Sequence, residues 1–419
     1  MTSSAPYGHP PQQNYYPGQQ QPAPPQVQGP PQGQQSFPQA GFPPPQPRNR
    51  RLLFEILAII GTSLLTAGMF LYFVVNVGVG TTLMMTVLAL IPLAIVLTAV
   101  LWVDRWEPEP RMMLLIAFLW GAGASTVPSM FMNEPFGMAL YNVFSSMGLV
   151  NFGPEGGPPV FGAPFIEEFW KGAGLLLLFL VRRRHFNSAV DGVVYAFVIA
   201  AGFAFTENIL YFLQSPSVLA TLTLRGLLSP FGHLLYTAAM GLALGWSRHK
   251  KFGWVWALPI GYVVAVFAHM MWNLGATVGM SQSSPLAGLA LQFVLLNWIP
   301  TLLLFILIAW LHRQEIKVIR ARLSEYMPFG WFAPHEVEML TSMRDRRRAR
   351  AWAKNAGGPN GAKSMKEFQL ASTKLAFARN DLHSGHDGIR AREEETAMLN
   401  KIGASRGALM ASTMRQPGF

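Results

Sequence analysis

Between residues 52 and 310 the chain alternates long apolar runs with short polar interruptions. The runs lie near 52–76, 83–103, 111–131, 163–181, 190–213, 225–247, 254–276 and 286–310. Each is long enough to cross a bilayer as a helix rising about 1.5 Å per residue. The pattern predicts an all-α polytopic membrane protein of about eight transmembrane helices. Flanking it are a tail at 1–50, expected to be disordered, and a partly helical tail at 312–419. The membrane domain itself occupies 51–311.

The first tail holds 14 prolines among many Gln, Gly and Tyr residues and has no Asp or Glu. Such a stretch cannot bury a core, and it favours polyproline II conformations that a proline-reading partner can dock on. It contains no apolar run ahead of the first span, so no cleavable signal peptide is expected. The loop at 132–162 is rich in Gly and Pro. It is expected to be a connector, flexible or folded as a cap over the membrane surface. Beyond 311 the helical pattern is interrupted at Gly357-Gly358-Pro359-Asn360-Gly361. The run Arg344-Asp345-Arg346-Arg347-Arg348-Ala349-Arg350 suits either anionic lipid head groups or a solvated helix face.

Composition agrees with the pattern. Of 419 residues, 51% are hydrophobic and 13% charged, with no cysteine. Disulfides and thiolate chemistry are excluded. The net charge of +11 reads as topology information, not as a nucleic-acid footprint. Basic residues cluster before the first span and after the second, fourth, sixth and eighth. The loops near 77–82, 132–162, 214–224 and 277–285 carry no Lys or Arg. Positive loops face the cytoplasm, so both termini of this multi-pass cell-membrane protein are expected there.

Against that apolar background a few residues stand out. Glu167, Glu168 and Lys171 interrupt the fourth run, Glu207 the fifth, His233 the sixth and His269 the seventh. A charged side chain near a bilayer centre costs roughly 2.5–3.5 kcal/mol on insertion scales. On a helix Lys171 reaches either glutamate, three or four residues away. It neutralises only one. With alternate spans running in opposite directions, all these groups fall within roughly 6–12 Å of the outer surface. Phe203, Glu207 and Tyr211 share a helix face, as do His269 and Asn273. Two histidines and a carboxylate from three helices, Glu207, His233 and His269, suit a divalent metal such as Zn2+ with an open position. A free carboxylate beside them would serve as general base for the water.

Three motifs together resemble the PrsW family of bacterial intramembrane proteases: Glu167-Glu168-x-x-Lys171; Phe203-x-x-x-Glu207-x-x-x-Tyr211; and His233 followed by His269-x-x-Trp272-Asn273. That family sits in a wider group with CAAX prenyl proteases and bacteriocin-processing proteases. Asp104-Arg105-Trp106-Glu107-Pro108-Glu109-Pro110 also resembles it, and the similarity covers about residues 50–310. The resemblance implies an intramembrane endopeptidase acting on a membrane-anchored protein substrate of the anti-sigma-factor kind. It implies Glu167 and Glu168 as central acids, with Lys171 keeping one charged and oriented. Glu207, His233 and His269 become ligands of a metal or of the water, and Asn273 a group that polarises the scissile carbonyl. A metal-free, glutamate-activated water is the alternative chemistry. Prenyl proteases usually have a longer gap from the acid pair to its basic residue and a His where this chain has Glu207, which favours the PrsW branch. The rival readings are a proton-coupled transporter, a non-catalytic scaffold and a prenyl-protein protease.

Overall fold

The computed structural model describes residues 48–183, 186, 188–248, 250, 252–279, 285–385 and 388–414. The proline-rich stretch lies outside them up to residue 47. The described residues form helices joined by short turns, without a strand among them. Seven helical spans among them are long and apolar enough to cross a membrane. An eighth helix, Ala163–Val181, matches the fourth apolar run; its three charged residues are what set it apart from the other seven.

The first two helices, α1 (Arg48–Val77) and α2 (Val79–Val103), expose much of their apolar surface. That suits contact with lipid, which solvates such side chains as well as protein does. The next run departs from expectation. Helix α3 (Arg111–Leu119) passes through a π-helical turn, Trp120–Ser125, into α4 (Thr126–Ser146) without interruption. The 36-residue span Arg111–Ser146 therefore takes up the first half of the stretch expected to be a 132–162 loop. Helix propensity through Met138–Phe144 and packing on the chain as it returns override the Gly/Pro signal. Only the second half turns back. A 3-10 turn (Pro154–Gly156) and a π-helical turn (Pro158–Gly162) lead into α5 (Ala163–Val181).

Helix α6 (Ala189–Gln214) is the centre of the bundle. It is apolar on all sides and buried along nearly its whole length, as a helix surrounded by protein must be. Its start is fixed by a capping box in which Ser188 and Asp191 satisfy each other's backbone N–H groups. Two glycine contacts let its neighbours reach it. A Cβ at Gly192 would lie 2.0 Å from the Gly241 carbonyl oxygen, and one at Gly202 would lie 2.0 Å from that of Phe118. Only hydrogen at these positions permits backbone-to-backbone packing.

The sixth apolar run is divided. A short α7 (Val218–Thr221) and a π-helical turn, Leu222–Leu228, precede α8 (Gly232–Ser247). Helix α9 (Trp254–Gly279) packs on α8, and α10 (Pro285–Gln292) with a further π-helical turn, Phe293–Trp298, leads into α11 (Ile299–Ser324).

The C-terminal region is more ordered than its sequence suggests. Helices α12 (Pro334–Leu340), α13 (Met343–His383) and α14 (Gly388–Met414) close on the end of α11. Their core includes Leu323, Phe332, Leu340, Phe368, Leu375 and Ile402. The expected break at 357–361 is a kink in α13 at Gly358, whose φ of 63° is readily available to glycine. The basic run is neither all lipid-facing nor all solvated. Arg346 is buried and donates to the carbonyls of Leu340 and Trp106 and to Thr373. Its Trp106 contact ties this helical region to the turn joining α2 and α3.

Candidate active site

Six elements deliver polar side chains to one buried cluster. Helix α5 brings Glu167, Glu168 and Lys171, three and four residues apart on one face. Lys171 is fully buried. Its ammonium donates to Glu168 Oε1 at 2.9 Å and Glu167 Oε2 at 3.5 Å. It lies 3.0 Å from His233 Nδ1 on α8 and 3.9 Å from the centre of the Phe203 ring on α6. Glu167 also accepts from Asn133 Nδ2 at 3.0 Å, a contact made possible by the helical continuation of α4. Glu168 is fully enclosed. Besides Lys171 it accepts from Thr237 at 2.9 Å and faces His269 Nδ1 on α9 at 3.2 Å.

Glu207 on α6 has a different set of partners. It lies 2.8 Å from His233 Nε2 and accepts from Arg225 Nη2. Arg225, on the π-helical turn before α8, also donates to Asn208 at 3.3 Å and stacks 3.8 Å over the Tyr211 ring. Three carboxyl groups thus face one amino group, that of Lys171, and one guanidinium, that of Arg225.

One oxygen of Glu167 and one nitrogen each of His233 and His269 lie within 4.8 Å of one another. This is the donor set the geometry gathers for a cation. Glu207 stands behind His233, and Glu168 behind His269. A carboxylate behind each ligand imidazole fixes its tautomer and raises its basicity, the arrangement usual around protein-bound zinc. The residues therefore fit a divalent ion. One exchange comes with it: the His233 nitrogen not facing Glu207 is the one beside Lys171, so an ion taking that nitrogen displaces the Lys171 contact.

Asn273 shares a face with His269 but is engaged elsewhere. Its Nδ2 donates to the Pro159 carbonyl at 2.6 Å, which holds the π-helical turn before α5 against α9. The cluster opens into a cavity of about 530 Å3 lined by Glu167, Glu207, His233, His269, Asn273 and Arg225 among others. Glu168 and Lys171 lie behind its wall. The sequence-expected residues are thus brought together, Asn273 at the edge. Arg225, Thr237, Tyr236 and Asn133 were not anticipated. Only Arg225 left a signal, as a cation opening an apolar run on the side of the membrane otherwise free of Lys and Arg. The hydroxyls of Thr237 and Tyr236 and the amide of Asn133 leave no comparable mark in a hydropathy pattern.

Residues 109–305 match the family described as PrsW family intramembrane metalloprotease. The chain is 29% identical over 168 residues to "Protease PrsW" of Clostridioides difficile (strain 630), covering 39% of this chain and 65% of that protein. To "Protease PrsW" of Geobacillus kaustophilus (strain HTA426) it is 28% identical over 173 residues, covering 41% and 69%. To "Protease PrsW" of Bacillus subtilis (strain 168) it is 31% identical over 145 residues, covering 35% and 60%. The chain thus spans just under two thirds of the length of the first of these relatives. No solved structure matches.

Proposed function

We propose, from the match of residues 109–305 to the PrsW family, that the chain is an intramembrane endopeptidase of that kind. The observation that carries the reading is the meeting of Glu167, His233 and His269 within 4.8 Å, each imidazole backed by a carboxylate, at the wall of a cavity large enough for a peptide. Scattered structural polar groups have no reason to converge this way from three helices.

In this reading Glu167, His233 and His269 would hold a divalent cation, which when bound lowers the pKa of a water and polarises a carbonyl. Of the two adjacent acids, Glu167 lines the cavity, so in the alternative chemistry without a cation it is the one that would meet the water and take its proton. Glu168 is a positioning residue. It fixes the proton of His269 on Nδ1 and turns Nε2 free, and it anchors Lys171. Glu207 does the same for His233, with Arg225 holding Glu207 in place. Lys171 balances the acid pair while the cavity is empty of substrate. Asn273 shapes the pocket by holding Pro159.

The substrate is a membrane-anchored protein whose helix unwinds locally, since a helical backbone hides its carbonyls from attack. Both termini of the enzyme face the cytoplasm, and the site lies toward the outer leaflet. The test compares fragments of membrane proteins in cells carrying the wild type, Glu167→Gln or Glu168→Gln, each checked for insertion. Fragments present with the wild type and absent from both variants are expected, and a membrane-permeant chelator should remove the same fragments. Identical fragments in all three strains would refute the reading.

A further inference from the structure

In and just behind the cavity wall lie four buried side-chain atoms with no hydrogen-bond partner among the described residues. Two are Tyr236 Oη and Asn297 Nδ2. Both side chains are at least 98% buried. Tyr236 sits on α8, its ring stacked on that of His269 with centroids 4.7 Å apart. Asn297 sits on the π-helical turn Phe293–Trp298. The two polar atoms converge on one point, the place where Gly232 lacks a Cβ. That point is 3.4 Å from Tyr236 Oη and 3.6 Å from Asn297 Nδ2, the nearest heavy atoms apart from those of Gly232, its chain neighbours and the adjoining helix backbone. Gly232 and Tyr236 both line the cavity.

The other two atoms are acceptors, Gln292 Oε1 and Asn133 Oδ1, on residues that line the same cavity. Their amide nitrogens are already used, by the Trp272 carbonyl and by Glu167. Leaving a buried polar atom unpaired costs about 1–3 kcal/mol, so four around one cavity need a common reason. A simple anion would use the donors and repel the acceptors. A peptide backbone presents a carbonyl and an N–H every residue and satisfies both.

We propose that Tyr236 Oη and Asn297 Nδ2, over the bare Cα of Gly232, form a subsite that receives a main-chain carbonyl of the bound polypeptide, with Gln292 Oε1 accepting from a main-chain N–H. This rests on the reading of the cavity as one that takes a polypeptide. Tyr236 and Asn297 are then substrate-binding residues beside the hydrolytic cluster, and they hold the unwound strand in register with it. The absence of a side chain at residue 232 is what leaves room for the carbonyl oxygen.

The test separates binding from cleavage. Protein in lipid nanodiscs carries Glu168→Gln as background, alone or with Tyr236→Phe or Gly232→Ala. Phenylalanine keeps the ring on His269. An alanine methyl makes ordinary contacts at 3.4 and 3.6 Å but fills the subsite, so both variants keep the fold, which thermal unfolding verifies. The probe is an acetyl- and amide-capped Leu/Ala heptapeptide with 13C-labelled backbone carbonyls. On the background protein it should bind with a carbonyl infrared band moved to lower frequency. Each substitution should remove that band and weaken binding about 10-fold, the size of one lost hydrogen bond. Equal affinity and an unchanged band in all three proteins, or no peptide binding to any, would overturn the proposal. Should Glu168→Gln instead cleave membrane substrates at the wild-type rate, the hydrolytic assignment fails while this binding result stands on its own.

Discussion

Replacing Lys171 by methionine tests how the buried cluster is held together. Methionine keeps the length of the side chain and removes the ammonium. In the structure that ammonium is 2.9 Å from Glu168 and 3.5 Å from Glu167, with all three side chains at most 4% exposed. At an effective dielectric constant of about 20, the two attractions are worth about 6 and about 5 kcal/mol before desolvation is counted. Most of that offsets the transfer of the charges out of water. Taking away one partner of a buried ion pair typically costs about 3–5 kcal/mol, because the remaining charge has no compensation. Here two carboxylates are stranded, and the contact with the Phe203 ring, worth about 0.5–2 kcal/mol, is lost as well. Lys171→Met should therefore destabilise the folded protein by about 4 kcal/mol or more. Adding Glu168→Gln removes one stranded charge and should restore about 2 kcal/mol, within the range of coupling between residues in contact. The assay is reversible unfolding in mixed micelles for wild type, both single variants and the double variant. A Lys171→Met protein within about 1 kcal/mol of wild type, or a double variant no better than Lys171→Met, would refute the ion-pair reasoning.

Two features outside that cluster give further outcomes. Burial raises the Asp104 carboxyl from 3.8 to about 7, against a lowering hydrogen bond from the Glu109 N–H. The folded form thus holds this proton more tightly than the unfolded one, so the contribution to stability is full below about pH 4 and is lost as pH rises through about 7. The unfolding midpoint should fall between about pH 4 and pH 7, and Asp104→Asn should flatten that fall; an identical pH profile in the variant would contradict it. Gly192→Leu should abolish a monodisperse folded species on size exclusion because its Cβ meets the Gly241 carbonyl at 2.0 Å, whereas Gly61→Leu, with nothing within 4 Å, should elute as wild type.

The sequence discloses by contrast. Glu167, Glu168, Lys171, Glu207, His233 and His269 are conspicuous because ionisable groups are costly in apolar spans, and their shared depth foretold that they meet. The spans were legible for the same reason. Partners were not. Nothing in the periodicity says that Arg225 holds Glu207, or that Glu167 and not Glu207 joins the two imidazoles, since both choices depend on helix rotation about an axis. The stretch 132–146 was misjudged because Gly and Pro signals describe local preference, while α4 is held by packing on α5 and the Pro158–Gly162 turn. The C-terminal core was hidden because its apolar residues are spread among many charges along α13 and α14.

The four π-helical turns among the described residues add a constraint of another kind. Each of Trp120–Ser125, Pro158–Gly162, Leu222–Leu228 and Phe293–Trp298 accommodates one residue more than an α-helical path would. Deleting a single residue from any of them would let it close to regular α-helical winding, which re-aims the side chains inside the turn. Arg225 and Asn297 lie inside two of these turns. The site is therefore written partly in residue count. A change that leaves every polar side chain in place but shortens the chain by one residue there would dismantle it as thoroughly as removing a glutamate.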